Sequence, residues 1–408
     1  MVGFNALLVS LVSLAVTGTY ADTVARSNNR IPWLDYEGIV RAGQDALNYT
    51  VYRRELAELS GASGPLAIRD ELEHRSNGVP RCKKIRKRKE WRQLAYGEKR
   101  DYIKAIKCLQ TKGDYNISPV TDNLYDAFTQ VHQTNWTDFH GNSWFLPWHR
   151  WFVWIHAEAM EHECGYDGPV PYWDYTLDYR NPSGSPIFST DPVIGFGTHG
   201  NIPQTEIGLG GYKVDNGAFA NLRVSLPIPH YLTRNFSAWK TADPEGKYGY
   251  QLGESYSPAA VAQTLAAPTF WEFEGAMDGF NVSIPIDPTA PITLADIPIA
   301  GVHNAPHAFN MGDWNGPTWL FGTQWFPAGV VAPNDPMFWP HHGNVDRVWW
   351  KWQQKPGKQW EFNGKKGLDR INDALPSDIL PFYNLGPDPV VALTLKTENW
   401  PMCYTYSG

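Results

Sequence analysis

The chain has 408 residues, of which 14% are aromatic and 19 are Trp, so it can bury a large core. Its formal charge of −7 at pH 7 is mild and gives no support for nucleic acid as a partner. After the N-terminal residues, no stretch reaches the roughly 18 uninterrupted apolar residues of a membrane span. We therefore expect neither nucleic acid nor a membrane as partner, and the sequence leaves the oligomeric state open.

Residues 1–21 are predicted to be a secretory signal peptide, because the short apolar core Leu7–Val16 precedes the small-residue cleavage site Thr19-Tyr-Ala21. This predicts a secreted, extracellular protein. Residues 22–82 are interpreted as an N-terminal extension. The basic run Lys83–Lys89 is interpreted as a solvated face or a processing site. Two dibasic pairs are either surface charge or sites where a secretory protease trims a pro-segment: Arg53-Arg54 and Lys87-Arg88.

Two further features agree with secretion. The even number of cysteines is compatible with two disulfides in an oxidising compartment, and three pairings are open: Cys82, Cys108, Cys164 and Cys403. Asn-x-Ser/Thr sequons make five asparagines candidates for glycosylation, some of which we expect to be used: Asn48, Asn116, Asn135, Asn235 and Asn281.

Apolar periodicity predicts core helices along the chain. They run from Lys89 to Leu109, from Asp122 to about His132, from Trp148 to Cys164, and from Asn334 to about Gln354. Gly165 supplies a left-handed stop for the third helix, and Pro336 suits the first turn of the last. Residues 174–300 are rich in Gly, Pro, Ser and Thr, and are interpreted as long loops with short strands.

Half of the twelve histidines form two clusters, one at His132, His140 and His149 and the other at His303, His307 and His342. The i,i+4 spacing of His303 and His307 places two imidazoles on one face of a helical turn. Three neutral imidazoles in each cluster suit copper and leave a coordination position open. The predicted fold is therefore mainly α: an antiparallel four-helix bundle that houses a binuclear copper site, wrapped by long loops and a few short strands.

These patterns resemble the type 3 copper proteins of the tyrosinase, catechol oxidase and haemocyanin group, most closely the short fungal polyphenol oxidases, over most of residues 90–406. The resemblance implies that the first cluster binds one copper, the second cluster binds another, and O2 is a co-substrate. The family pattern places the last ligand four residues before Asp346, which selects His342 over His341. The other histidines lack partner spacing and are interpreted as structural: His74, His156, His162, His199 and His230.

The resemblance also assigns supporting roles. Phe338 matches a phenylalanine that packs over the metal pair. Asp346 is predicted to accept a hydrogen bond from a metal-bound imidazole, and the alternative is an ion pair with a nearby arginine on the helix surface. Asn304 is a candidate water-holding residue, and Ala308 lies beside His307 in the region expected to place the substrate. Gly329, thirteen residues before His342, replaces a frequently bulky residue and predicts an open entrance.

Several positions depart from the family pattern. Residues 133–139 contain no cysteine, so the Cys–His thioether of many relatives cannot form. Ala157 replaces a common glutamate, with Glu158 one residue further on, so the position calls one supporting hydrogen bond into question but no ligand. Ala300 replaces another, so the water-holding pair is incomplete unless Asp296 or Glu272 reaches in. Tyr404-Thr-Tyr406 resembles the motif that closes the catalytic core, so residues 83–408 are expected to form one catalytic domain without a C-terminal lid domain.

The resemblance implies a secreted oxidase of small phenols, which converts o-diphenols to o-quinones and reduces O2 to water. One alternative is a tyrosinase that also hydroxylates monophenols, with o-aminophenols as a further substrate class. A second alternative is a haemocyanin-like O2 carrier. A binuclear zinc hydrolase is a weaker hypothesis, because no bridging carboxylate fits the ligand spacing.

Overall fold

A computed structural model describes residues 31–59, 79–134, 136–204, 211–237, 248, 250–280, 282, 301–314, 318–320, 324–326, 329–367 and 370–408. The predicted signal peptide lies outside the described residues, as do six positions discussed above: His74, Asn135, Asn281, Asp296, Ala300 and, for its side chain, Arg54.

The fold is mainly α with short strands, as predicted. The helices are α1 Tyr36–Leu59, α2 Tyr96–Leu109, α3 Leu124–Thr134, α4 Phe145–Cys164, α5 Tyr250–Glu254, α6 Pro258–Leu265, α7 Phe270–Asp278, α8 Asn304–Asn310, α9 Phe338–Gln353 and α10 Val391–Thr394. Helix α4 contacts α2 and α9, and α2 contacts α3, so the predicted core helices pack together. Gly165 ends α4 at φ 67°, which confirms the predicted left-handed stop.

Two predicted helix starts were too early. Helix α2 begins at Tyr96 because residues 86–90 pair as a strand and Glu90 caps a short 3-10 turn. Helix α9 begins at Phe338 because Asp335 lies outside the helix, where its carboxylate accepts a hydrogen bond from the backbone N–H of Met337 at 2.9 Å.

The strands are short: β1 Arg86–Glu90, β2 Pro171–Tyr172, β3 Ile202–Pro203, β4 Tyr212–Lys213, β5 Arg223–Val224, β6 His230–Tyr231, β7 Thr233–Arg234, β8 Thr318–Leu320, β9 Gln324–Phe326, β10 Lys365–Lys366, β11 Asn372–Asp373 and β12 Tyr404–Tyr406. Strand β1 is central in a parallel sheet of order β12-β1-β2, with Arg86 opposite Tyr404. The interpretation of Lys83–Lys89 as a solvated face was wrong for Arg88, whereas Lys87 is exposed. Arg88 is 2% exposed, and its backbone is part of the central strand.

The N-terminal extension contributes to the same core as the rest of the chain. Ile39, Ala42 and Leu47 of α1 are buried, and α1 contacts α10. Just before this helix, the ring of Trp33 stacks on that of His162 at 5.1 Å. Proteolytic trimming within residues 22–82 stays a prediction.

The region predicted to consist of loops and strands also contains α5, α6 and α7. Local signals for the last two are present in the sequence. Ser257 caps α6, and Thr269 caps α7 by accepting a hydrogen bond from the N–H of Glu272 at 3.2 Å. Helix α7 ends at Gly279, where φ is 73°.

Both predicted disulfides form. Cys82 pairs with Cys403 across the ends of the sheet, with Cα atoms 5.4 Å apart. Cys108 pairs with Cys164, with Cα atoms 6.0 Å apart, and so joins the C-terminal ends of α2 and α4. Among the described helices, none combines the length and apolarity needed to cross a membrane.

Candidate metal centre

The two predicted histidine clusters form two groups inside the protein. The potential ligand atoms within each group lie within 4.8 Å of one another. Helix α3 supplies His132, the following loop His140 and α4 His149. The second group combines His303 and His307, from the start and middle of α8, with two neighbours on α9, His341 and His342. All seven rings are buried.

The two groups face each other. The rings of His149 and His342, one from each group, stack with centroids 4.4 Å apart, and those of His140 and His303 lie 6.4 Å apart. Phe338 is fully buried, with its ring centroid 5.3 Å from that of His132 and 4.1 Å from that of His342. It therefore lies against both groups, where its predicted role requires it.

Most of these rings are oriented through Nδ1. A backbone carbonyl can only accept a hydrogen bond, so an Nδ1 bound to one must carry the proton and leave the Nε2 lone pair free. The partners are Val330 O for His132 at 2.9 Å, Trp136 O for His140 at 2.8 Å, Phe145 O for His149 at 2.9 Å and Trp314 O for His307 at 3.0 Å.

The fifth oriented ring has a carboxylate partner. His303 Nδ1 lies 2.9 Å from Asp278 Oδ1, and Asp278 Oδ2 accepts a hydrogen bond from the N–H of Gly141 at 2.9 Å. Asp278 therefore contacts a histidine of the second group and the residue after His140 of the first. Sequence reasoning missed Asp278, because α7 lies in the region interpreted as loop.

The Nε2 atoms of His132, His149, His303, His307 and His342 are buried and have no hydrogen-bond partner among the described residues. Leaving such atoms unpaired is costly, so a ligand that binds there would relieve this cost. Within the described residues, no carboxylate or thiolate belongs to either group. A purely imidazole donor set fits copper.

Burial also keeps the rings neutral. It lowers the pKa of His132 to about 3, and lowers the pKa values of His140, His149, His307 and His342 well below the usual range. At neutral pH these imidazoles therefore offer lone pairs rather than positive charge. The geometry and the charge state agree on a metal site.

Asp346 does not hold a site histidine, contrary to prediction. Its carboxylate accepts hydrogen bonds from Arg88, Arg150, Tyr404 and Tyr406. Burial opposes its charge, but the two arginines and two tyrosines outweigh burial and lower its pKa. Asp346 joins β1, α4 and β12 to the helix that carries His342, so it supports the helix rather than a ring.

The structure also places four other positions from the sequence analysis. Gly329 has a φ of 84°, so a backbone requirement explains the glycine without reference to an open entrance. Glu272 is exposed on the first turn of α7 and hydrogen bonds with Thr269, so it does not reach the site. Asn304 donates its Nδ2 hydrogen bond to the Asp278 carbonyl. Ala308 is buried in α8.

The remaining histidines have other partners: His156 stacks on Trp339 at 3.5 Å, His199 stacks on Phe236 at 5.1 Å, and His230 Nε2 lies 2.8 Å from Asp313 Oδ1. His341 is packed beside His303 and His307, with ring centroids 5.4 and 4.8 Å away.

None of the four cysteines is free, and Ala157 is buried. Of the sequons, Asn48 and Asn116 are exposed and Asn235 is half-buried.

Comparisons with known proteins agree with this site. The family model for the common central domain of tyrosinase matches residues 122–355. Tyrosinase ustQ of Aspergillus flavus is 30% identical over 337 residues, which cover 80% of this chain and 81% of that protein. Tyrosinase P of Aspergillus terreus is 29% identical, covering 81% and 94%. The solved structure of a polyphenol oxidase variant from Thermothelomyces thermophila is similar with a TM-score of 0.60 and 25% identity, over 91% of this chain and 98% of that one.

Proposed function

The chain belongs to the tyrosinase family of copper oxidases, whose cofactor is a pair of copper ions, and we propose that it oxidises o-diphenols to o-quinones while reducing O2 to water. The observation that supports this most strongly is the pair of facing groups of buried imidazoles, most of whose Nε2 atoms have no hydrogen-bond partner among the described residues. The substrates are small phenols, in keeping with the names of the relatives.

We assign the copper ligands by group. His132, His140 and His149 would hold the first copper. Of the four histidines in the second group, His303, His307 and His342 would hold the second copper, because the family pattern places the last ligand four residues before Asp346 and so selects His342 over His341. Bound there, the copper pair supplies the redox chemistry of the reaction. Each diphenol loses two electrons and two protons as it becomes a quinone, so two diphenols reduce one O2 to two water molecules.

The chain's own residues position and shield this chemistry. The carbonyls of Val330, Trp136, Phe145 and Trp314 and the carboxylate of Asp278 fix the ring orientations, so the lone pairs point to the ligand positions before any metal binds. The fully buried ring of Phe338 packs against a histidine of each group and so forms an apolar wall beside the metal site.

Monophenol hydroxylation is the second candidate, because Asn304 follows His303 as in the water-holding arrangement. The carboxylate that would complete that arrangement is not in place among the described residues. Glu272 is exposed, and Glu274 is buried and unpaired, with a pKa that burial, and then the charge of Asp278, raise well above the usual range. The raised pKa favours the neutral form of Glu274, which accepts a phenol proton less readily, so we propose diphenol oxidation as the main activity. The same site would accept o-aminophenols.

Oxygen uptake by the copper-loaded protein tests this assignment. We expect uptake with 4-methylcatechol and much slower uptake, after a lag, with 4-methylphenol. Equal rates without a lag would make monophenol hydroxylation a main activity. Reversible O2 binding with no turnover of any catechol or aminophenol would contradict the proposal and indicate a carrier.

We also propose that the protein is secreted and glycosylated. The predicted leader sequence, two disulfides and the exposed sequons at Asn48 and Asn116 support this. The test is the mass of the protein recovered from culture medium before and after endoglycosidase treatment. Recovery only from the cell interior, with no mass change, would contradict the proposal.

A further inference from the structure

His132 and His307, one from each histidine group, are oriented by carbonyls next to or within two short 3-10 segments. His140 is oriented from a third such segment, Trp136–Asp138. His307 Nδ1 lies 3.0 Å from the carbonyl oxygen of Trp314, which ends the segment Gly312–Trp314. His132 Nδ1 lies 2.9 Å from the carbonyl oxygen of Val330, in the turn that leads into the segment Ala332–Asn334. The two segments contact each other.

Asp313 connects the two segments. This carboxylate is 1% exposed, and Oδ1 accepts hydrogen bonds from Asn334 Nδ2 at 2.9 Å and His230 Nε2 at 2.8 Å. Oδ2 accepts from the N–H and the hydroxyl of Thr233 at 2.8 and 2.9 Å. Each oxygen therefore has two donors, and the side chain has little freedom to move.

Asn334 carries the connection back to the first histidine group. Its Nδ2 also donates to Leu226 O at 2.6 Å, and its carbonyl accepts from the hydroxyl of Tyr125 at 2.7 Å. Tyr125 lies two turns before His132 on α3. Hydrogen bonds and the backbone therefore connect α3 through Asn334 and Asp313 to Trp314, whose carbonyl binds His307.

We propose that Asp313 is a positioning residue for both metal sites: by joining the two 3-10 segments it fixes the two carbonyls that orient His132 and His307. Asp313 touches neither ring, so its effect passes through the backbone on each side. Loss of the carboxylate frees both carbonyls to shift, and both rings then lose their fixed orientation. The inference rests on the proposed role of these histidines as copper ligands.

Asp178 provides a matched control for a purely structural role. It is also a buried carboxylate with several partners, accepting hydrogen bonds from Arg92, from Trp173 Nε1 at 2.9 Å and from Ser185 Oγ at 2.7 Å. None of these partners is a group that orients a site histidine. Asp313→Asn and Asp178→Asn each remove a buried charge from a satisfied network, but only the first changes the support of the rings.

The experiment titrates copper into the metal-free full-length protein against a competing chelator and resolves the two equivalents. Unfolding of the metal-free protein is measured in parallel. We expect Asp313→Asn to lower the affinity for each of the two copper ions by about 10-fold or more, the range typical of residues that orient metal ligands. Asp178→Asn should lower the unfolding temperature similarly and leave both copper affinities within about twofold.

Thr233→Val is the milder variant if Asp313→Asn does not fold. It removes the hydroxyl donor to Asp313 and keeps the backbone one, so a smaller loss at both equivalents is expected. The inference would be overturned by any of three results. They are a lower affinity for only one of the two copper ions, unchanged affinities in the Asp313 and Thr233 variants, or an equal loss of affinity in the Asp178 control. Failure of the wild-type protein to bind two copper ions would instead contradict the proposed function.

Discussion

Replacing Asp278 by Asn tests whether one carboxylate supports both metal sites. Its two oxygens accept from His303 Nδ1 and from the Gly141 N–H, each at 2.9 Å. Asparagine offers one acceptor oxygen and one NH2 donor, so it can satisfy only one of these two donors. If the NH2 faces His303, the ring must move its proton to Nε2, where the lone pair for copper is needed. If it faces Gly141, the loop after His140 loses its contact.

The expected size of the effect follows from either outcome. A hydrogen bond to a charged group contributes about 1.5–3 kcal/mol. This range corresponds to roughly a 10- to 100-fold loss of metal affinity, the range typical of such residues. We expect Asp278→Asn to weaken copper binding by this factor, at the second site if the NH2 faces His303 and at the first site if it faces Gly141, and to reduce kcat for catechol more than it raises KM.

Copper titration of the metal-free variant, with stopped-flow oxygen uptake after loading, measures both quantities. Glu272→Gln is the matched control, because it removes an exposed carboxylate from the same helix. It should change neither the copper affinity nor the rate of oxygen uptake. An Asp278→Asn protein that binds two copper ions with wild-type affinity would refute the reasoning, and so would an equal loss in the control.

Three further predictions concern the packing and charges around the site. Phe338→Ala should lower the free energy of unfolding by about 3–5 kcal/mol in urea titration, because the ring is fully buried; an unchanged midpoint would contradict this. Asp346→Asn should lower the free energy of unfolding by about 3–5 kcal/mol, because Arg88 and Arg150 are left buried without a charged partner. Folding lowers the pKa of Asp346. Its contribution to stability is therefore fully present at pH values above the ordinary pKa near 3.8, and it is lost as the pH falls through the lower pKa of the folded protein. Unfolding of both proteins between pH 7 and pH 2.5 should therefore show the wild-type advantage narrowing only below about pH 4; a constant difference would contradict it.

The metal centre could be predicted from the sequence because its signals are local. His303 and His307 lie four residues apart on one helical turn, and a glycine marks the end of the helix that carries His149. Imidazole-only clusters also have a narrow chemical interpretation. The mainly α fold followed from periodicity in the same segments.

The supporting groups could not be predicted, because they depend on contacts between distant parts of the chain. Asp278 meets Gly141 across 137 residues, and Asp346 meets Arg88 across 258. Asp346 lies four residues after His342, and this spacing suggested that it contacts the His342 ring. In the folded protein Asp346 instead binds two buried arginines, Arg88 and Arg150. Helix α7 was missed for a different reason: it is short and lies in a region whose Gly and Pro content indicates loops.

The amounts of O2 and catechol consumed by the protein loaded with two copper ions per chain test the central claim most directly. We predict one O2 consumed for every two catechol molecules oxidised, with no hydrogen peroxide released. A fully copper-loaded protein that consumes no O2 with catechols or aminophenols would contradict the assignment of the two histidine groups as an oxidase centre.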